Sequence, residues 1–512
     1  MGQGDALTFA LHRTHMVPTA PAFHPGHGRL LAFAWLVCIA TPASAQLPPA
    51  VEAAMVRSAL PRDAVTLLVV DAHGGAAARL SHRAAQPVNP ASIMKLVTTY
   101  AALDLLGPAY TWSTAVLTDG AVQAGTLAGN LYLHGQGDPK LVVERLWLLL
   151  RRVQALGIRR ISGDIVLDRS AFESVEVDPS VFDGEPLRPY NVAPDALLIN
   201  FKSLLLSFTP QRSSNEVLIS YEPPLAGVQV QTRAALAAGE CTDYRAALKA
   251  DFLDPNRIRF AGSYPASCAE KIWPVAYADP RSYGARAVEG LWREMGGMLD
   301  GSVREGLVPA AAAPGAATGR RTLFEFSSPA LAEVIRDVNK FSNNVMAQQL
   351  FLTLSLPGRG QNGTTGNGPP ATLEASREVL RRWWQNRFGG NDMPVLDNGS
   401  GLSRQQRISA QALARMLQHA HASPLMPDLM ASLPITGVDG TLRSQRAMAM
   451  GAAHLKTGSL RDVTGVAGFV HAASGKRYVL VAIANHDNAN AFRPVVSALI
   501  DWAAKDRNTK DN

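Results

Sequence analysis

The stretch Asn89-Pro90-Ala91-Ser92-Ile93-Met94-Lys95, continuing as Leu96-Val97-Thr98-Thr99-Tyr100-Ala101-Ala102-Leu103-Asp104-Leu105-Leu106-Gly107-Pro108, decides how the chain folds. It reads as the opening of a helix. Apolar residues recur at helical spacing through Met94, Leu96, Val97, Tyr100, Ala101 and Leu105, and Gly107-Pro108 is a stop signal. Ser92 and Lys95 stand three apart, so their side chains share one face, one turn from each other. A hydroxyl and an amine held that close form a nucleophile–base pair if the amine gives up its proton. A lysine in water titrates near ~10.4. Burial at the helix start beside a second cation lowers that value. Alone the pattern is weak, because an ordinary amphipathic helix carries Ser-x-x-Lys by composition.

The chain has 512 residues, too many for one core, so two or more domains are expected. It is 47% hydrophobic and 18% charged, as globular proteins are, with a formal net charge of +7. There is no dense Lys/Arg run and no nucleic-acid signature, so the excess reads as a solvated basic surface that allows weak association with a membrane surface. Arg29 precedes the apolar run Leu30–Ala40 and the Ala43-Ser44-Ala45 pattern. That is the order and size of a secretory signal, and the run is short for a bilayer span. Residues 1–45 are therefore set aside as a signal peptide, and the chain is expected to be exported to the periplasm. Removal of Cys38 with the signal leaves Cys241 and Cys268 as an even pair in an exported chain. They are expected to form a disulfide that stabilises by roughly 3 kcal/mol.

In chain order, residues 46–60 read as a short helix, and Thr66–Val70 and Ala77–Arg83 as two strands before the Ser92 helix. Residues 111–137 alternate like strands and end in Gly135-Gln-Gly-Asp138-Pro139. A Leu/Val/Arg-rich helix spans Leu141 to Leu156, Gly163–Asp168 reads as a strand, and residues 199–275 are again β-rich. Helical texture returns over 283–298 and over Pro329–Ser355. Pro309–Ala317 and Leu356–Pro370 are low-complexity loops, and a helix follows from Thr372 to Phe388. Gly465–His471 and Tyr478–Ala484, joined through Ser474-Gly475, form a hairpin. The last helix runs from Arg493 to Ala504 with Pro494 in its first turn.

Two further motifs join the first. Ser342-Asn343-Asn344 lies in the helical stretch near 340. Residues two apart point away from each other on a regular helix, so Ser342 and Asn344 must sit at a helix start or tight turn to share a cleft. His454-Leu455-Lys456-Thr457-Gly458-Ser459 reads as a strand carrying a cation and two hydroxyls, with a glycine leaving room for a substrate backbone. Ser-x-x-Lys, Ser-x-Asn and Lys-Thr-Gly in this order are the motif set of penicillin-binding proteins and serine β-lactamases.

The chain resembles that superfamily. Its long gap between Ser92 and Ser342 resembles one branch, the D-alanyl-D-alanine carboxypeptidase/endopeptidases, class C low-molecular-mass penicillin-binding proteins typified by penicillin-binding protein 4. There a large domain is inserted between the first two motifs. Gly135–Pro139, Gly163–Asp168, Asp397–Ser403 and Gly437–Leu442 are further family-like stretches. The resemblance implies an α/β (α+β) fold: a transpeptidase-like antiparallel sheet with flanking helices, an all-helical subdomain, and a β-rich insertion. The expected division is 46–110 with 280–508 as the penicillin-binding part and 111–279 as the insertion.

The resemblance also implies roles. Ser92 attacks the carbonyl between two D-alanines and Lys95 takes its proton. Ser342 relays a proton to the leaving amine, and Asn344 holds the substrate amide. Lys456 attracts the terminal carboxylate, with Thr457 and Ser459 as donors and Gly458 giving room. The backbone N–H groups of Ser92 and Ser459 form the oxyanion hole. The substrate is a peptidoglycan stem peptide, β-lactams are covalent inhibitors, and no metal or cofactor is implied. His419-Ala-His421 is too sparse for a metal site, His454 reads as a packing residue, and Gly399–Ser403 as a loop bordering the cleft. Asp138, Asp164 and Asp168 read as structural carboxylates. A β-lactamase or esterase on the same scaffold, and a non-catalytic wall-binding protein, are the competing readings. Oligomeric state is left open.

Overall fold

The C-terminal hairpin forms the centre of an antiparallel sheet. Strand Arg477–Asn485 lies between Val463–His471 and Val65–Asp71, with Ala453–Leu460 and Leu80–His82 at the edges. The computed structural model describes residues 47–175, 178–309, 320–356 and 368–507. The expected signal at 1–45 and most of the expected loops at 309–317 and 356–370 lie outside the described residues. Between its ends, from Tyr478 to Ala484, the central strand is apolar because both of its faces are covered. Val479, Val481 and Ile483 enter one core, while Tyr478, Leu480, Ala482 and Ala484 enter the other, as the two-residue period of a strand requires.

The second of these cores is closed by helices Pro49–Ser58 and Arg493–Ala504. The first is helical. The Ser92 segment packs there with Leu331–Lys340, Asn344–Thr353, Leu373–Phe388, Ala410–Ala422 and Met426–Ser432. The single helix expected over Pro329–Ser355 is two helices, and the break between them falls at Phe341-Ser342-Asn343.

The insertion is larger than the sequence suggests. Strand Arg321–Ser327 pairs antiparallel with Ser113–Thr118, ending with Ser327 opposite Ser113. Ser328 N–H donates to the Trp112 carbonyl (2.9 Å), and Trp112 N–H to Ser328 Oγ (2.9 Å). The chain thus leaves and re-enters on neighbouring strands at Trp112 and Ser328. This corrects the boundary expected at residue 280. Helix Tyr283–Glu294 carries the helical texture that suggested it, but its Tyr283, Val288, Leu291 and Trp292 pack into the insertion's own core. That core lies with two five-stranded sheets. One contains Ser113–Thr118, Leu131–Gly135, Ile165–Asp168, Val303–Glu305 and Arg321–Ser327. The other contains Ser203–Gln211, Glu216–Glu222, Arg233–Ala237, Tyr264–Pro265 and Lys271–Ala276. Cys241 and Cys268 are bonded in this part, closing a separation of 27 residues.

Gln349, fully buried on helix Asn344–Thr353, ties the insertion to the helical core. Its amide oxygen accepts from Asp195 N–H (2.8 Å), and its amide nitrogen donates to the carbonyls of Asp195 (2.8 Å) and Gly137 (3.2 Å).

Candidate active site

Ser92 sits on a tight turn, Ala91–Met94, that runs directly into helix Lys95–Leu106. Ala91 has φ +48, a left-handed conformation that a side chain adopts only when its surroundings impose it. Asn89 imposes it: its Oδ1 accepts from Ala91 N–H (2.9 Å), while its Nδ2 donates to the Ser403 carbonyl (2.9 Å). Two glycines let other segments reach the turn. A Cβ on Gly401, itself at φ +86, would stand 2.2 Å from the Ala91 carbonyl oxygen, and one on Gly458 would stand 2.4 Å from that of Pro90. The loop Asp397–Ser403 and the strand Ala453–Leu460 close on Ser92 for that reason.

Lys95 is fully buried. Its Nζ donates to Asn344 Oδ1 (2.6 Å) and to the Ser400 carbonyl, and lies 2.9 Å from Ser92 Oγ. A neutral amine has two N–H donors and one lone pair. Asn344 and Ser400 take the two donors, which leaves the lone pair for the Ser92 hydroxyl. Burial first, and then the charge of Lys456, hold this amine well below the ordinary lysine value.

The break in the second helical segment solves the two-apart problem of Ser342 and Asn344. Helix Leu331–Lys340 ends, Ser342 adopts φ +56, and Asn343 caps the next helix by accepting from Met346 N–H (3.0 Å). Ser342 then meets Lys456, whose Nζ donates to Ser342 Oγ (2.9 Å) and to the Thr457 carbonyl (2.8 Å). Asn344 meets Lys95, and its Nδ2 donates to the Tyr190 carbonyl of the insertion (3.3 Å), so both ends of the amide are oriented. Lys456 is fully buried, and burial brings its amine down to about 7. Ser92, Ser342, Asn344 and Ser459 line one cleft of about 1030 Å³. Gly458 packs beneath the Ser92 turn, and Thr457 Oγ1 lies 2.7 Å from Thr441 Oγ1.

Four contacts carry no signal in the motifs. The Ser400 and Tyr190 carbonyls are backbone groups, to which residue identity gives no clue. Thr441 and Asp439 lie in Gly437–Leu442, a stretch noted only as family-like. Asp439 Oδ2 pairs with Lys340 Nζ (2.6 Å), on the last residue before the Ser342 turn, and that lysine side chain is only 4% exposed. Asp439→Asn is expected to slow acylation by loosening this turn. It is also expected to lower unfolding stability in urea by about 1–3 kcal/mol, because a buried cation loses its counter-charge.

Other noted residues lie elsewhere. His454 lies beside His471, with ring centroids 5.5 Å apart and the planes tilted by 56°, and His419 Nδ1 lies 2.7 Å from the Tyr100 hydroxyl. Asp164 pairs with Arg304, and Asp168 accepts from Ser170 and Val308 N–H. Asp138 is buried, and burial raises its carboxyl to about 6. Among the described residues no group of three or more His, Cys, Asp or Glu is placed to hold a metal ion.

A model of the D-Ala-D-Ala carboxypeptidase 3 (S13) family matches residues 47–506. The chain is 27% identical over 404 residues to D-alanyl-D-alanine carboxypeptidase DacB of Haemophilus influenzae, covering 77% of this chain and 80% of that one. It is 28% identical over 401 residues to a D-alanyl-D-alanine carboxypeptidase of Actinomadura sp., covering 76% and 71%. Its fold is similar to that of penicillin binding protein 4 (dacB) from Haemophilus influenzae, with a TM-score of 0.66 at 23% identity, covering 88% of this chain and 99% of that one. That protein is also solved in complex with a β-lactam, a match at TM-score 0.64.

Proposed function

The chain belongs to the D-Ala-D-Ala carboxypeptidase 3 (S13) family, and from that premise we propose that Ser92, Lys95, Ser342, Asn344 and Lys456 carry out its reaction. The protein is a serine-type D-Ala-D-Ala carboxypeptidase. Its Ser92 hydroxyl attacks the carbonyl between the two D-alanines, and the proton passes to the Lys95 lone pair. The observation that carries this reading is the Lys95 amine, dry, with both donors occupied and 2.9 Å from Ser92 Oγ. The developing oxyanion is held by the backbone N–H groups of Ser92 and Ser459. Loss of one such donor costs about 10²–10³ in rate in a comparable site. Ser342, hydrogen-bonded to Lys456, relays to the departing amine the proton that Lys95 took from Ser92, so the peptide C–N bond breaks and Lys95 is neutral again. The terminal D-alanine leaves, and the rest of the peptide stays on Ser92 as an ester. Water, activated by Lys95, attacks that ester and releases the shortened peptide.

Lys456 supplies positive potential for the substrate's terminal carboxylate, with the Thr457 and Ser459 hydroxyls beside it. Asn344 positions the substrate amide as well as Lys95. The same cleft accepts the cross-linked bond between stem peptides, giving DD-endopeptidase activity, and β-lactams acylate Ser92 and leave slowly. The enzyme works on peptidoglycan in the periplasm, reached through the N-terminal signal. Among the described residues no helix is long and apolar enough to cross a membrane.

The test is incubation of the protein with a fluorescent penicillin and with a diacyl-Lys-D-Ala-D-Ala peptide. Stable labelling together with D-alanine release is expected. Rapid penicillin turnover without D-alanine release would make it a β-lactamase. Neither reaction would make it a wall-binding protein.

A further inference from the structure

The cleft does not end at the reacting groups. At about 1030 Å³ it stands at the top of the roughly 300–1,000 Å³ range of small-molecule sites, and a D-Ala-D-Ala terminus occupies only one end. The far wall comes from the insertion: Leu205, Glu222, Arg245 and Pro274 line the same cavity as Ser92. Strand register brings them together. Leu205 is paired with Glu222 on one neighbouring strand and with Pro274 on the other. Directly opposed residues point to one face, so these three make a row across the sheet.

Two positions along, Ser207 is opposite Ser220 and Ile272, continuing the same face. The alternate residues Leu204, Leu206, Phe208, Val217 and Ile219 fill the core behind it. The outer face is uncovered: Leu205 is 40% and Ile272 53% exposed. Glu222 is exposed and makes no ion pair among the described residues. Among the described residues Arg245 is held at the rim by rings rather than by an acid. Its guanidinium lies 5.3 Å from the Trp273 centroid and 5.6 Å from that of Tyr244.

Among the described residues, an unpaired carboxylate and a guanidinium without a carboxylate thus line the cavity that Ser92 lines, beside an apolar ridge and hydroxyls that continue the same sheet face. The charges match the amine and carboxylate groups of a peptide, and the ridge matches its aliphatic side chains. We propose that this outer face, centred on Leu205, Glu222 and Pro274 with Arg245 at its rim, is a second peptide subsite that binds the distal stem peptide of a cross-linked substrate. The inference rests on the serine-peptidase reading at Ser92. The subsite sets the preference for cross-linked over single stem peptides, since binding energy far from the reacting bond is available to the transition state.

The test compares kcat/KM on a purified cross-linked stem-peptide dimer with that on diacyl-Lys-D-Ala-D-Ala. Three proteins are measured: the wild type, the double variant Glu222→Ala/Arg245→Ala, and Ser220→Trp, which blocks the exposed face. The ratio of dimer to short-peptide efficiency is expected to fall at least tenfold in both variants. An unchanged ratio in both, or equal losses on both substrates, overturns the subsite. If the wild type takes no penicillin label and releases no D-alanine, the peptidase reading fails separately. Binding of the dimer to Ser92→Ala then decides the subsite: weakening by Glu222→Ala/Arg245→Ala supports it, and unchanged binding overturns it.

Discussion

Ser92→Ala is expected to abolish covalent labelling by penicillin and D-alanine release while leaving the thermal midpoint nearly unchanged. The hydroxyl sits at the cleft rather than in the core, and Lys95 keeps Asn344 and the Ser400 carbonyl as acceptors when it is lost. Lys95→Met removes the base instead. General-base catalysis contributes about 10²–10⁴-fold, so labelling is expected to slow by about that factor rather than vanish. The two variants also differ in pH dependence. In the wild type, acylation falls on the acid side as Lys95 takes up a proton, because a protonated amine has no lone pair for Ser92. In Lys95→Met that acid limb disappears. Stopped-flow acylation across pH, with circular dichroism as the folding check, reads both effects. A Ser92→Ala protein that still labels, or a Lys95→Met protein that keeps the wild-type acid limb, would overturn the assignment.

The hairpin and the final helix were legible because their signals are local. Tyr478–Ala484 is apolar throughout, Ser474-Gly475 turns, and Pro494 opens a helix. The insertion boundary was not legible. It depends on Arg321–Ser327 pairing with Ser113–Thr118 across a long stretch of chain, and a helix at 283–294 looks the same whichever core it covers. The motifs named side chains that the fold brings together, but the break that turns Ser342 and Asn344 toward different lysines has no breaker residue. No glycine or proline marks Phe341-Ser342-Asn343, and tertiary packing holds Ser342 at φ +56 against its local preference. Backbone carbonyls on Lys95 and Asn344 are beyond any motif, since every residue has one.

Lys456 is expected to give the enzyme a basic limb. Its amine is brought down to about 7 by burial, so in the free enzyme it is charged below that pH and neutral above it. Because kcat/KM reports the free enzyme, efficiency on a peptide with a terminal carboxylate is expected to fall as pH rises through about 7. Lys456→Met is expected to lower kcat/KM by about 10–100-fold, the equivalent of a hydrogen bond to a charged group, and to remove this limb. It also withdraws a positive charge that depresses Lys95, so the acid limb is expected to move to higher pH. Stability follows the same sign. The folded value lies below the ordinary lysine value of ~10.4, so between about 7 and ~10.4 the unfolded chain binds more protons, and stability rises with pH across that window. Urea unfolding at pH 7 and pH 9 is expected to show that rise in the wild type and a smaller one in Lys456→Met. An equal rise in both proteins, with the basic limb intact in the variant, would mean that another group titrates there and that Lys456 is not the cation that meets the carboxylate.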